Sequence, residues 1–235
     1  MVPASGPVTA KLAIVGESPG EEEERHGQPF VGPAGRVLEA ALRHAGLTRD
    51  ACYLTNLMQV RPDGNDFGRF YLDPQRVHPS PALLEGIRRV QEELRHVKPN
   101  VVLLCGAEPL RALTGYRDIT ARRGYLMRGE GGHKVLPTFH PSAILRSADE
   151  RSYFPLLCFD VAKAKRESHS PALIVPKRTL LLRPSVETVI HHLQQIVALG
   201  RLQRRQPPVV EQQHVDPGQL RQQLSEAPVA VGDTQ

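Results

Sequence analysis

Apolar residues along this chain fall into short continuous runs that alternate with stretches of helical period. Lys11 to Val15 is a run of strand length that stops at Gly16. From Ala34 to Ala45 the apolar positions Val37, Leu38, Ala41, Leu42 and Ala45 recur at helical spacing, and Gly46 ends the pattern. Cys52 to Leu57 reads as a second strand that breaks into a loop at Arg61-Pro62-Asp63-Gly64-Asn65. Pro81 to Val97 places Leu83, Leu84, Ile87, Val90 and Leu94 on one helical face and charge on the other. Val101 to Gly106 is a continuous apolar run of the kind buried in parallel sheets. Glu108 to Thr114 predicts a short helix, Lys134 to Thr138 a fourth strand, and Leu156 to Glu167 an amphipathic helix with a basic outer face.

Strands alternating with helices predict an α/β fold: a central, mainly parallel four-stranded sheet in a three-layer α/β/α arrangement. Three domain-level stretches follow. Residues 1–10 are small and polar and read as a disordered lead-in, 11–170 form the α/β domain, and 171–235 form an extension. In that extension Leu173 to Leu182 has room for a short strand broken by Pro176, and Val186 to Leu199 is helix-like. Arg201 to Gln223, rich in Gln and Arg around Pro207-Pro208, reads as a linker.

Composition narrows the class. Of 235 residues 40% are hydrophobic, and no run is long enough to cross a membrane. No signal peptide is expected at the N-terminus. The net charge of +5 favours nucleic acid as a partner without establishing it. Cys52, Cys105 and Cys158 are widely spaced and odd in number, a pattern that does not suggest a disulfide framework or a C-x-x-C metal site and fits a reducing, cytoplasmic setting.

The richest stretch is Leu12 to Gly35, LAIVGESPGEEEERHGQPFVGPAG. An ordinary strand-to-helix connection takes about two to six residues. This one is much longer, as expected of a site at the carboxyl end of a strand. Gly16 and Gly20 permit close backbone approach to a ligand, and Pro19 stiffens the turn between them. The exposed N–H groups suit an acceptor edge or an anion, and Glu17 adds a carboxylate. GESPG lacks the spacing of a dinucleotide-binding G-x-G-x-x-G. Taken alone, the same residues are also consistent with a plain loop carrying a solvated acidic run.

With YLTN at Tyr53 to Asn56, RPDGN at Arg61 to Asn65 and HPSAILR at His140 to Arg146, this stretch resembles the uracil-DNA glycosylase superfamily. The similarity runs over roughly Lys11 to Glu167. It is nearest to family 4, the iron–sulfur uracil-DNA glycosylases and their relatives fused to phage-type DNA polymerases. The resemblance implies a monofunctional glycosylase of base excision repair that flips uracil out of DNA and hydrolyses its N-glycosidic bond. It assigns catalysis to Glu17, which activates water or balances charge on the sugar, to Asn65, a water holder, and to His140, which faces uracil O2. Substrate contact falls to the turn carrying Gly16, Ser18 and Gly20, to Glu23 as an orderer of the loop, to Phe30 and to Asn56. Phe30 either stacks on the base or is a core aromatic. Asn56 offers a donor and an acceptor to uracil O4 and N3–H. Pro141, Ser142, Leu145 and Arg146 are the expected DNA contacts, with Leu145 as a wedge. Arg122, Arg123, Arg128, Lys163, Lys165 and Arg166 are further candidates for the phosphate backbone.

The family 4 cluster rests on four cysteines: a C-x-x-C pair before the first strand, one before Arg-Pro and one before the next helix. The chain has no Cys before Gly16, Val60 before Arg61-Pro62, and His78 near the fourth place. No cluster or other cofactor is expected, which leaves Asp66 to Pro81 to be held by packing alone. Covalent crosslinking to DNA through His78, as in a neighbouring branch, is not expected. The terminal APVAVGDTQ faintly resembles the opening strand of a polymerase-type exonuclease, with Asp233 at the first acid. The second acid would fall at Gln235, so exonuclease activity is not expected. The expected partners are uracil-containing DNA and a polymerase or exonuclease domain, with the chain itself a monomer. Two alternatives remain: a non-catalytic uracil- or DNA-binding module derived from a glycosylase–polymerase fusion, and a nucleotide-binding α/β protein unrelated to DNA.

Overall fold

The computed structural model describes residues 1–129, 132–146 and 150–170; the readings made for the extension from residue 171 onward lie outside the described residues. The strands are β1 (Leu12–Gly16), β2 (Tyr53–Asn56), β3 (Val101–Cys105), β4 (Met127–Arg128) and β5 (Lys134–Thr138). They form one sheet in the order β2-β1-β3-β5-β4. β1, β2, β3 and β5 are parallel, in a register that pairs Gly16 with Asn56 and Cys105 with Thr138. The expected four strands are therefore joined by a fifth. β4 runs antiparallel to β5, and its two residues are too few to show an alternation in the sequence.

Alternation along each strand sends side chains to two cores. Ala13, Val15, Val102 and Leu104 meet Leu83, Val90 and Leu94 of α3 (Pro81–Val97) and Leu110 of α4 (Ala107–Thr114). Leu12, Ile14, Leu103 and Leu136 pack with Leu38 and Leu42 of α2 (Pro33–His44) and with Leu157 and Val161 of α7 (Glu150–Ser168). Each such fully buried side chain contributes roughly 1.5–3 kcal/mol. No helix among the described residues is long and apolar enough to cross a membrane.

Two local expectations change. Residues 1–10 are not a disordered lead-in: Val2 N–H donates to Gln59 O at 2.7 Å, and Ser5 and Leu54 exchange backbone bonds of 2.9 and 2.7 Å. This segment covers the outer edge of β2, whose N–H and C=O groups would otherwise be left unpaired. The acidic run is not a loop either. Glu21–His26 is the helix α1, closed by Gly27 in the left-handed conformation.

Candidate active site

The parallel strands deliver Gly16, Asn56, Gly106 and His140 to one edge of the sheet, where open α/β sheets hold their ligands. There a cavity of about 650 Å³ is lined by Glu17, Ser18, Gly20, Glu23, Phe30 and Asn56 from the first half of the chain. Asn65, His140, Ser142, Leu145 and Arg146 also line it. Gly16 and Pro141 are the predicted site residues that do not line it. Gly16 lies beneath instead: a Cβ there would fall 2.3 Å from Asn56 Oδ1 and 2.6 Å from Phe30 Cζ. Only glycine leaves room for both side chains.

The first wall is organised by Glu23, which is 8% exposed. Its carboxylate accepts from Gly20 N–H at 3.1 Å and Gly32 N–H at 2.7 Å, the N-cap positions of α1 and α2. One side chain thus satisfies orphan donors of two helices and closes the loop between them. Phe30 follows with φ +56, a left-handed conformation that costs a residue with a Cβ on the order of 1–2 kcal/mol. Arg49 holds it there, donating to Phe30 O at 3.2 Å and Pro29 O at 2.9 Å. Phe30 is both a member of the core beside α2 and a lining of the cavity.

Asn56 is held from behind by α3. Arg89 donates to Asn56 O at 2.6 Å and Leu57 O at 3.1 Å and pairs with Glu93, which accepts from Thr55 Oγ1 at 2.8 Å. Arg49 and Arg89 were invisible to motif reading because each acts through backbone carbonyls far away in sequence. Arg89 reads in the sequence only as half of an i,i+4 ion pair on a helix surface.

Electrostatics set Glu17 apart from His140. Burial and the nearby charge of Glu108 raise the Glu17 carboxyl to about 7, while Arg146, Arg76 and a hydrogen bond from the Glu108 backbone pull the other way. Burial, with Arg146 adding repulsion, lowers His140 to about 4, so its imidazole is neutral at physiological pH. Ser142 N–H donates to His140 Nδ1 at 3.1 Å, and the Ser142 hydroxyl lies 2.6 Å from the same nitrogen. An accepting Nδ1 puts the ring proton on Nε2. Gly106, at φ +106, makes room for the pair, since a Cβ there would fall 2.6 Å from Glu17 Oε1 and 3.1 Å from His140 Cβ.

The second wall is the lobe after β2, which contributes Asn65, Asp66, Phe67 and Arg76 to the cavity. It is not held by packing alone. Arg76 Nη1 donates to Glu108 Oε1 at 2.8 Å and Tyr71 OH donates to Glu108 Oε2 at 2.6 Å, with Glu108 only 4% exposed.

Pro141–Arg146, PSAILR, forms the short helix α6 directly after His140. Leu145 and Arg146 are exposed at the cavity mouth, as a DNA contact requires. Pro141 is buried at the first position of the helix, and Ser142, which lines the cavity, is bonded to His140. Three of the further basic candidates are also structural. Arg123 is paired with the buried Asp160 at 2.7 Å, Lys163 donates to Gly124 O, and Lys165 donates to Ala45 O and Gly46 O at the end of α2. Arg122 stacks over the Tyr116 ring, 4.2 Å from its centroid.

The residues present do not fit an iron–sulfur cluster. Val60 is 43% exposed and carries no donor atom, and His78 is turned to Asp73, with 3.2 Å between Nδ1 and Oδ2. All three cysteines are buried in the core on the α2 side, with their thiols pushed up by burial and so held protonated. No group of three or more His, Cys, Asp or Glu among the described residues is placed to hold a metal ion.

Comparison with known proteins agrees with this geometry. Residues 3–161 match the family model of the uracil DNA glycosylase superfamily. The chain is 33% identical over 167 residues to a type-4 uracil-DNA glycosylase of Thermotoga maritima, covering 70% of this chain and 81% of the relative. It is 29% identical over 153 residues to the type-4 enzyme of Archaeoglobus fulgidus, covering 61% of this chain and 71% of the relative. A DNA polymerase of Bacillus phage SP01 is 27% identical over 151 residues, which cover 63% of this chain and 15% of the polymerase. By the family model, by these relatives and by its fold, the chain belongs to the uracil DNA glycosylase superfamily.

Proposed function

We propose that this protein is a monofunctional uracil-DNA glycosylase that hydrolyses the N-glycosidic bond of deoxyuridine and acts without an iron–sulfur cluster. The observation that carries the reading is the pairing, in one cavity, of a neutral His140 with a carboxyl group, Glu17, poised near neutrality. A uracil flipped into the cavity stacks on Phe30 and is read at O4 and N3–H by the Asn56 amide. As the bond between C1′ and N1 breaks, its electron pair passes to the base, and the charge on O2 is met by the His140 Nε2–H. A neutral imidazole stabilises this anion by hydrogen bonding without transferring a proton. Ionised Glu17 balances the cationic sugar and accepts a proton from the water that adds to C1′, with Asn65 steadying that water. The products are an abasic site and the uracil anion, which takes a proton from solvent as Glu17 releases its own to solvent.

Leu145, exposed beside the cavity, fills the space left by the flipped base, and Arg146 meets the neighbouring phosphate. Buried free thiols fit a cytoplasmic setting. The test is a labelled oligonucleotide with one deoxyuridine, incubated with the protein and then treated with alkali. Cleavage at that position, lost in Glu17→Gln, is the expected result. DNA retention without cleavage would leave a non-catalytic binding module.

A further inference from the structure

The lobe from Asp66 to Ser80 has little regular structure of its own. It is one short 3-10 turn, Phe67–Phe70, and a reversal closed on itself, with Leu72 N–H on His78 O at 2.8 Å and Ser80 N–H on Phe70 O at 2.9 Å. Phe67 anchors it in the core, 5.2 Å from Phe70 and 6.3 Å from Tyr71, ring centroid to centroid. Its polar attachments converge on α4, chiefly on one buried residue, Glu108. Both carboxylate oxygens are taken, one by Arg76 and one by Tyr71, and Arg111 approaches within 3.6 Å. Arg111 also donates to Arg76 O at 3.2 Å and lies 5.6 Å from the centre of the Tyr71 ring. On its other side, Arg76 is 3.6 Å from Asp66, a cavity residue.

Glu108 also stands in the first turn of α4, against which the Glu17 carboxylate lies: a Cβ on Gly106, the N-cap of α4, would fall 2.6 Å from Glu17 Oε1. Its side chain therefore holds the lobe, and the helix start that carries it is packed against Glu17. We propose that Arg76 is a positioning residue for uracil excision: through Glu108 it clasps the 66–80 lobe to α4 and fixes Glu17 at the sugar. This rests on the glycosylase reading above. The clasp also accounts for the chain's departure from the cluster-bearing pattern. Val60 and His78 lie before and within this lobe, which is here fastened by a half-exposed Arg76 and a tyrosine hydroxyl on the buried Glu108. Such a clasp works only while complete. Removing Arg76 leaves the buried Glu108 carboxylate to the more distant Arg111, at 3.6 Å, which strains the first turn of α4 beside Glu17.

The experiment compares full-length wild type, Arg76→Ala, Arg76→Lys and Tyr71→Phe, with Arg69→Ala as an exposed control on the same lobe that does not line the cavity. Hydrogen exchange is read over 66–80 and over 107–114, and single-turnover excision is measured on a deoxyuridine oligonucleotide. In Arg76→Ala, exchange should rise in both segments, and kcat should fall on the order of 10²-fold with KM little changed, the scale of a misplaced catalytic group. Arg76→Lys should restore part of both, Tyr71→Phe should shift both in the same direction by less, and Arg69→Ala should shift neither. If Arg76→Ala does not fold, the lysine and phenylalanine variants, which keep the charge balance, carry the comparison. A fall in kcat without change in exchange would overturn the clasp and make Arg76 a direct substrate contact, as would a change confined to KM. Stoichiometric iron in the purified protein would overturn its role in place of a cluster. If wild type excises no uracil, the function reading fails by itself, while exchange in Arg76→Ala still decides whether the clasp exists.

Discussion

The loop that follows β1 and the lobe that follows β2 leave the sheet at the same edge and line opposite parts of one cavity, yet they are held by different means. The first is closed by contacts short in sequence: Glu23 to Gly20 and Gly32, a left-handed Phe30, and glycines where a Cβ would collide. The second is fastened across more than thirty residues by Arg76 and Tyr71 on Glu108. A locally closed loop writes its geometry into adjacent residues, whereas a tertiary clasp leaves only an arginine, a tyrosine and a glutamate among many. The two walls also shape Glu17 from both sides. The first supplies the residue, the second supplies the charge of Arg76, and α4, to which the second is fastened, supplies that of Glu108.

The contrast is broken most severely at its glycines. Gly16→Ala would drive Asn56 and Phe30 out of place and should lower excision on the order of 10²–10³-fold by the same single-turnover assay. Gly64→Ala in the lobe meets nothing within 4 Å. It should cost only about 1 kcal/mol for its positive φ, seen in urea unfolding, and leave excision nearly intact. A loss of activity as large in Gly64→Ala would erase the distinction.

Titration sharpens the comparison next. With Glu17 at about 7 and active when ionised, kcat/KM should rise tenfold per pH unit up to about pH 7 and then level. His140, at about 4, stays neutral across that range and adds no further limb. The stability consequence has a defined sign. A carboxyl raised from 4.5 to about 7 by folding penalises the folded state increasingly from pH 4.5 to 7, and fully above. Glu17→Gln should therefore be more stable than wild type by on the order of 1–3 kcal/mol at pH 8, allowing for partial solvent access, and no more stable at pH 4. Equal melting temperatures at pH 8 would remove the burial argument.

A smaller effect separates the two kinds of fastening within the first wall. Glu23→Ala loses two hydrogen bonds to helix N-caps and should destabilise by about 2–3 kcal/mol. The smallest change is expected at Arg49, where removal frees the Phe30 carbonyl. Excision should fall only about tenfold, with base stacking weakened and the fold retained, as circular dichroism would report.

The sheet was legible because its central strands are buried on both faces and written as apolar runs, of which Val101 to Cys105 is the clearest. The GESPG, YLTN and HPS stretches were legible because each ends such a strand, so parallel pairing alone brings Glu17, Asn56 and His140 together. Less could be read where contacts replace pattern. The N-terminal segment gave no periodic signal because it is held by backbone bonds to Leu54 and Gln59, which any sequence can make. The acidic run hid α1, since a six-residue helix between two glycines has no apolar stripe to display. Arg123 and Lys163 read as surface charges because the buried Asp160 and the Gly124 carbonyl they meet lie thirty-seven and thirty-nine residues away.

The central claim is that Asn56 reads uracil in a cavity where Glu17 and His140 break its bond. The most direct measurement sets wild type beside Asn56→Asp on matched oligonucleotides carrying deoxyuridine or deoxycytidine at one position, with alkali cleavage as the readout. The account predicts that wild type cleaves at uracil alone, and that Asn56→Asp loses uracil excision and gains slow excision of cytosine, whose amino group an aspartate at that place can accept. A wild-type protein silent on uracil, or an Asn56→Asp variant that excises uracil unchanged, would contradict it.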